Sequence, residues 1–184
     1  MSLSQLLLKL QEKASHGNSE LLSLFAGGMD TICPIVPRNV IVRLSSNELA
    51  FDTTSIHQRM ILKVILKGKV LTCIDGITFP MEAGDAVLFF PFQFHSSRGA
   101  KKCADCKFLA VSFTEKDNNY TPLLPLKNKL LQITQQDEKR LWSVVAAFQK
   151  LDETTSSEAI GQLYDFLIYH LQDIGEFYPA SGRQ

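Results

Sequence analysis

The spacing of apolar positions changes twice along the 184 residues. Leu3, Leu6, Leu7 and Leu10 recur at i, i+3, i+4 and i+7, which predicts an amphipathic helix. Ser2 and Gln5 have capping-box spacing and Gly17 supplies a stop. A second short helix is predicted over 19–25, closed by Gly27 and Gly28. From Arg38 onward the runs become short and rich in β-branched and aromatic residues: RNVIVRL (38–44), RMILKVILKG (59–68), KVLTCI (69–74), ITFPM (77–81), AVLFFP (86–91) and KFLAVSF (107–113). Gly, Asp, Asn and Pro punctuate them, and Asp75-Gly76 is the strongest two-residue hairpin signal. Six or more such strands predict a small antiparallel β-barrel from about Arg38 to Phe113.

Past Pro125 the helical period returns. Thr134 precedes Leu141, Val144, Val145, Phe148 and Leu151 at helical spacing. Thr155 and Glu158 cap a further run of Ile160, Leu163, Tyr164, Leu167, Ile168 and Leu171. The expected organisation is a lead-in of helices over 1–37, a β-barrel over 38–120, a helical segment over 121–175 and a tail over 176–184.

Composition narrows the functional classes. Hydrophobic residues are 45% of the chain and charged residues 21%, enough apolar material for a buried core. Lysine plus arginine and aspartate plus glutamate both number 19, so the chain lacks the net positive charge of a non-specific nucleic-acid binder. Lys9 and Lys13 break the N-terminal apolar run, and no run reaches the length of a membrane span, so a cytoplasmic protein with no membrane partner is expected. Cys33, Cys73, Cys103 and Cys106 are too few and scattered for a disulfide framework. Cys103 and Cys106 have metal-knuckle spacing, but they stand in a polar stretch, KKCADCK, without a second pair. The basic cluster Arg98, Lys101, Lys102 and Lys107 reads as a solvated hairpin tip.

The most informative stretch is 56–96. Leu66-Lys67-Gly68, Asp75-Gly76, Ala83-Gly84-Asp85, Pro91 and His95 follow one another there in fixed order. This succession resembles the cupin core, specifically the N-terminal sensing domain of AraC-type transcription regulators. The resemblance implies a cupin-like antiparallel β-barrel with a small-molecule cavity, followed by a helical dimerisation segment. In that family the module is joined to a DNA-binding domain of two helix-turn-helix units. No such pattern follows Gly175, so DNA contact is expected only through a domain outside these residues. Metal-binding cupins use two histidines and a carboxylate from the first strand and a histidine from the second motif. Aligned on Gly68, this chain has Ser55 and His57 at the histidine positions, Ile61 at the carboxylate position, and His95 in the second motif. Two imidazoles fall short of a three-ligand site, so neither a metal nor another cofactor is expected.

Which face of the long strand points inward decides the ligand contacts. Met60, Leu62, Val64 and Leu66 alternate strictly, which sends them to the core and His57, Arg59 and Lys63 to the opposite side, with Arg59 and Lys63 then on a solvated face. The family alignment turns His57 and Ile61 inward instead, and Arg59 and Lys63 then line a cationic cavity suited to an anionic ligand. The candidate ligand-binding residues are His57, Arg59, Lys63, Phe90, Phe92 and His95. The aromatic run Phe89, Phe90, Phe92 and Phe94 reads as core and cavity wall. No residue is assigned a catalytic role: Ser96 and Ser97 beside His95 lack both an elbow motif and an orienting acid. The wide apolar stripe of the last helix predicts a homodimer through Leu163, Leu167 and Leu171, with packing against the chain's own barrel as the other way to bury it. Two other classes stay open, a metal-dependent cupin enzyme such as a dioxygenase or isomerase, and an interaction module with a filled barrel.

Overall fold

The computed structural model describes residues 22–25, 37–47, 54–99, 106–115, 120–148, 161–163, 165–167 and 170. The helix predicted at the N-terminus, the Thr155–Glu158 cap, Leu171, Cys33, Cys103, Lys101 and Lys102 lie outside them.

Nine strands occur among the described residues: β1 (Leu22–Phe25), β2 (Pro37–Asn47), β3 (Met60–Lys67), β4 (Lys69–Ile74), β5 (Ile77–Glu82), β6 (Asp85–Phe89), β7 (His95–Gly99), β8 (Cys106–Glu115) and β9 (Leu130–Gln132). A 3₁₀ turn at Thr121–Leu126 and the helix α1 (Gln135–Phe148) follow the barrel strands. Residues 161–163, 165–167 and 170 are also helical. The strands form a six-stranded sheet in the order β1-β2-β8-β3-β6-β9 and a three-stranded sheet in the order β5-β4-β7. Every pairing is antiparallel.

Two predicted features change here. Residues 22–25 form an edge strand paired with β2, not a helix: Leu22 lies opposite Leu44 and Phe25 opposite Ile41. A four-residue stretch can supply cross-strand hydrogen bonds to a waiting edge, whereas an isolated helix of that length is unstable. The segment after the barrel also contributes a strand, since β9 pairs with β6 and closes the other edge of the large sheet.

Over β3 and β6 the large sheet is buried on both faces, which explains why these strands read as nearly continuous apolar runs. One face packs Met60, Leu62, Val64, Leu66, Leu88, Leu109, Val111 and Phe113 against Leu123, Leu126, Leu141, Val144 and Val145 of the helical layer. The other face packs Ile65, Val87, Phe89 and Cys106 against Val70, Ile74, Phe79 and Met81 of the small sheet. Pro80 sits on β5, an edge strand, where its missing donor breaks no internal ladder.

Leu163, Phe166 and Leu167 are fully buried in the first of these cores. Of the three residues expected at a dimer seam, Leu163 and Leu167 thus lie in the chain's own core, and Leu171 is outside the described residues. Leu163 and Leu167 pack against the chain's own sheet and α1, so neither offers its side chain to a second copy.

The Asp75-Gly76 hairpin forms as predicted, with φ of 48° and 85°, the left-handed pair that a type I′ turn needs. No atom lies within 4 Å of the position a Gly76 Cβ would take, so a substitution there meets only backbone strain. Gly76→Ala is expected to cost about 1 kcal/mol in urea unfolding. An unchanged midpoint would show that the hairpin relaxes freely.

Candidate functional site

Register places the site residues. On β3, Ile61, Lys63 and Ile65 share the parity that faces the small sheet, because Ile65 and Ile61 belong to the core between the two sheets; Arg59 stands just before the strand. The strict alternation of Met60 to Leu66 identified a buried face correctly, and that face meets the helices. The opposite face is no solvated surface: Lys63 keeps only 6% of its area exposed.

Lys63 reaches across to the small sheet. Its Nζ donates to Ser97 Oγ at 2.7 Å and lies 4.8 Å from the centre of the Phe108 ring. Ser97 Oγ is in turn 3.2 Å from Thr72 Oγ1, which is fully buried. Among the described residues no carboxylate pairs with this ammonium. Burial pushes the amine down to about 8, partly offset by the nearby Cys106 sulfur.

His95 opens β7 and lies at the same end of the space. Its ring stacks on Phe89 with centroids 4.3 Å apart, and His57 stands 5.0 Å away. The pair is set by a short bridge: Ser55 N–H donates to His95 O at 2.7 Å and His95 N–H donates to Ser55 O at 2.9 Å. His95 Nδ1 is 3.2 Å from the Gln93 carbonyl, so in the neutral ring Nδ1–H donates and Nε2 is the acceptor. Burial first, then the neighbouring His57 and Lys63, hold His95 below its ordinary value against the opposing Gln93 carbonyl and Asp75. It is therefore mostly neutral near pH 7.

The turn between β6 and β7 is built around the buried Gln93. Its Oε1 accepts from Phe90 N–H at 2.8 Å, and its Nε2 donates to Asp75 Oδ2 at 2.8 Å and to Asn128 Oδ1 at 2.9 Å. Asp75 Oδ1 also accepts from Phe94 N–H at 3.0 Å. The carboxylate of the hairpin thus locks the turn that presents His95.

The remaining predicted residues separate. Arg59 is half-buried, with Nε donating to Ser112 Oγ at 2.7 Å and Nη2 to the Ser112 carbonyl at 3.3 Å. Phe90 is a correction: it packs with Met60, Leu62 and Leu88 in the core under the helices, on the far side of the sheet from Lys63. The chain curls at Pro91 and reverses its side. Phe92, with φ of 63°, is 65% exposed at the tip of the turn, where its N–H donates to His57 O at 2.7 Å. It forms rim, not cavity wall. His57 is exposed beside it.

Sequence reasoning missed Ser97, Thr72 and Phe108. HSSRG carries no apolar alternation, so β7 looked like a loop. The signal lay in parity alone, since Ser97 follows His95 by two residues and therefore shares its face. Cys106 is buried as the first residue of β8 rather than held in a polar loop. Among the described residues no group of three or more His, Cys, Asp or Glu side chains is placed to hold a metal ion. No helix among them is long and apolar enough to cross a membrane.

No protein-family model and no curated protein matches this chain. Solved cupin structures do. The chain is similar to a cupin protein from Bacteroides fragilis, at 18% identity over 48% of this chain and 83% of that one, with a TM-score of 0.37. It is similar to the Cnp3 cupin domain of Schizosaccharomyces pombe, at 13% identity over 56% and 73%, with a TM-score of 0.38. A predicted oxalate decarboxylase from Thermotoga maritima shares 23% identity over 42% and 66%, with a TM-score of 0.33. At this distance the likeness concerns the β-architecture and transfers no activity.

Proposed function

We propose that the space between the two sheets receives a small anionic molecule, and that the domain is the ligand-sensing module of an AraC-type transcription regulator. The observation that carries this reading is Lys63. A buried ammonium held by one hydroxyl, itself in contact with Thr72, and by an aromatic ring keeps its attraction for an anion, because no carboxylate of the described residues neutralises it. In so dry a place an incoming carboxylate or phosphate gains a charge-assisted hydrogen bond, about twice as strong as a neutral one. Neutral His95, stacked on Phe89, adds a flat wall and an acceptor. The order of motifs from Leu66 to His95 supports the regulator reading over a general carrier. Contact with DNA is then the task of the helix-turn-helix domain joined to such modules.

Binding is favoured over catalysis because His57 and His95 are accompanied by Ser55 and Ile61 where a metal-dependent cupin enzyme needs further ligands. Titration of butyrate and benzoate against their neutral amides tests the reading. The carboxylates are expected to bind and the amides not, and Lys63→Met to weaken the carboxylates at least tenfold. Equal binding of acid and amide would overturn it. Equimolar transition metal in protein purified without a histidine tag, lost on replacing His57 and His95, would replace it with the enzyme reading.

A further inference from the structure

Lys63 is one member of a row that crosses three strands. Ala110 of β8 is the register partner of Lys63 on one side and of Arg43 on the other. Directly opposed residues of an antiparallel sheet point to the same face, so Lys63, Ala110 and Arg43 project together. The burial of β2 agrees: Val40, Val42 and Leu44 are buried against the helices, whereas Arg43 between them is exposed on the other side. Two cations thus flank one methyl group, with backbones roughly 10 Å apart across two strand spacings.

The surroundings of this row are apolar or neutral. The next row toward the mouth is Ile41, Ser112 and Ile61, and Phe108 follows on the other side of Ala110. Ile61, Phe108, Ala110 and Ser112 are all half-buried, which leaves this inner face partly open to solvent. Arg59 adds a third cation along it through Ser112. No carboxylate of these strands lies on the face that Lys63 and Arg43 share. β2 and β3 contain no acidic residue, and Glu115 of β8 has the parity of Val111 and Phe113, which face the helices.

We infer that this face selects an anion with two negatively charged heads and an apolar middle, one head at Lys63 and the other at Arg43. The inference rests on the reading of Lys63 as the anion-binding group. The small Ala110 leaves room for the spacer, Ile61 and Phe108 offer it apolar contact, and the exposed Arg43 can take its head group by a two-pronged contact. A molecule with one charged head engages Lys63 alone.

Calorimetric titration with linear dicarboxylates from succinate to sebacate, each matched to the monocarboxylate of equal length, tests this. The wild type is expected to prefer the longer dicarboxylates over their monocarboxylates by about tenfold, less at high salt. Arg43→Gln is expected to abolish that preference while leaving monocarboxylate affinity within twofold. Lys63→Met is expected to weaken both series. If monocarboxylates bind through Lys63 but dicarboxylates gain nothing, or if Arg43→Gln keeps the preference, the two-headed ligand is wrong and the anion site stands. If neither series binds, both conclusions fall.

Discussion

Lys63→Met is expected to make the protein more stable and unable to hold its ligand. The amine falls from 10.5 to about 8 in the folded chain because burial disfavours its charge. That difference amounts to about 3 kcal/mol of destabilisation wherever the folded chain carries the proton. Methionine has similar length and no charge to desolvate, and it loses the bond to Ser97, worth about 1 kcal/mol. The net gain at pH 7 is about 2 kcal/mol, a rise in Tm of roughly 6 °C for a chain of this size. The pH dependence gives an independent check. Between pH 8 and 10.5 the unfolded chain retains a proton that the folded chain has released, so wild-type stability rises with pH across that window. Below pH 8 both states hold it and the full cost remains. The variant should show no such rise. A less stable variant, or the same slope in both proteins, would mean that the lysine is solvated and the site is not what its burial implies. Stability sacrificed at a buried charge is a common property of binding sites.

Asp137→Ala is expected to lose about 3 kcal/mol, on the order of 10 °C in Tm. Asp137 is fully buried at the start of α1 and makes a capping box with Thr134. Thr134 N–H and Oγ1 donate to Asp137 Oδ2 at 2.8 and 2.6 Å, and Asp137 N–H donates to Thr134 Oγ1 at 3.2 Å. Arg140 Nη1 donates to Asp137 Oδ1 at 3.4 Å, and His170 Nε2 lies 3.4 Å from Oδ2. Burial by itself would raise this carboxyl, but His170 and Thr134 outweigh it and hold it below the ordinary value. Its contribution is therefore present above the unfolded value of 3.8 and is lost as pH falls below it. Removing the carboxylate strips the cap and takes away the group that His170 Nε2 faces. Thermal denaturation from pH 3 to 7 should show a lower plateau and a flatter acid limb for the variant. Equal stability at neutral pH would mean that the two helical elements dock without this contact.

These two residues show what the sequence could reveal. The strands of the barrel were legible because apolar runs, Asp75-Gly76 and the following glycines encode pairing and turns within a few residues. Thr134 was legible as a helix start for the same reason. Lys63 was harder. Its neighbours on both sides are apolar, and a strand buried on both faces has no polar face to reveal its register. Two readings therefore competed: the even positions do form a core face, against the helices, but Lys63 is buried toward the small sheet and not solvated. Phe90 and Phe92 were grouped as cavity wall because nothing local reveals that the chain reverses at Pro91. Ser97 and Arg43 depend on partners 34 residues away and on a three-strand row, respectively. The last helical stripe was read as a dimer surface because apolar width is the same whether the covering layer comes from this chain or another.

One side chain ties the mouth of the barrel to the layer of helices. The Gln93 amide donates both to Asp75 in the small sheet and to Asn128, which precedes β9 and α1 by a few residues. Asn128 itself holds a left-handed conformation, φ 56°, at the end of the 3₁₀ turn. The turn bearing Gln93 therefore has little freedom to shift by itself. If it moves with His95, it must draw Asn128 along or abandon a buried hydrogen bond, at a cost of about 1–3 kcal/mol. The polar hub acts as a tether under load, and the strain it transmits arrives at the start of the segment that leads into the first helix.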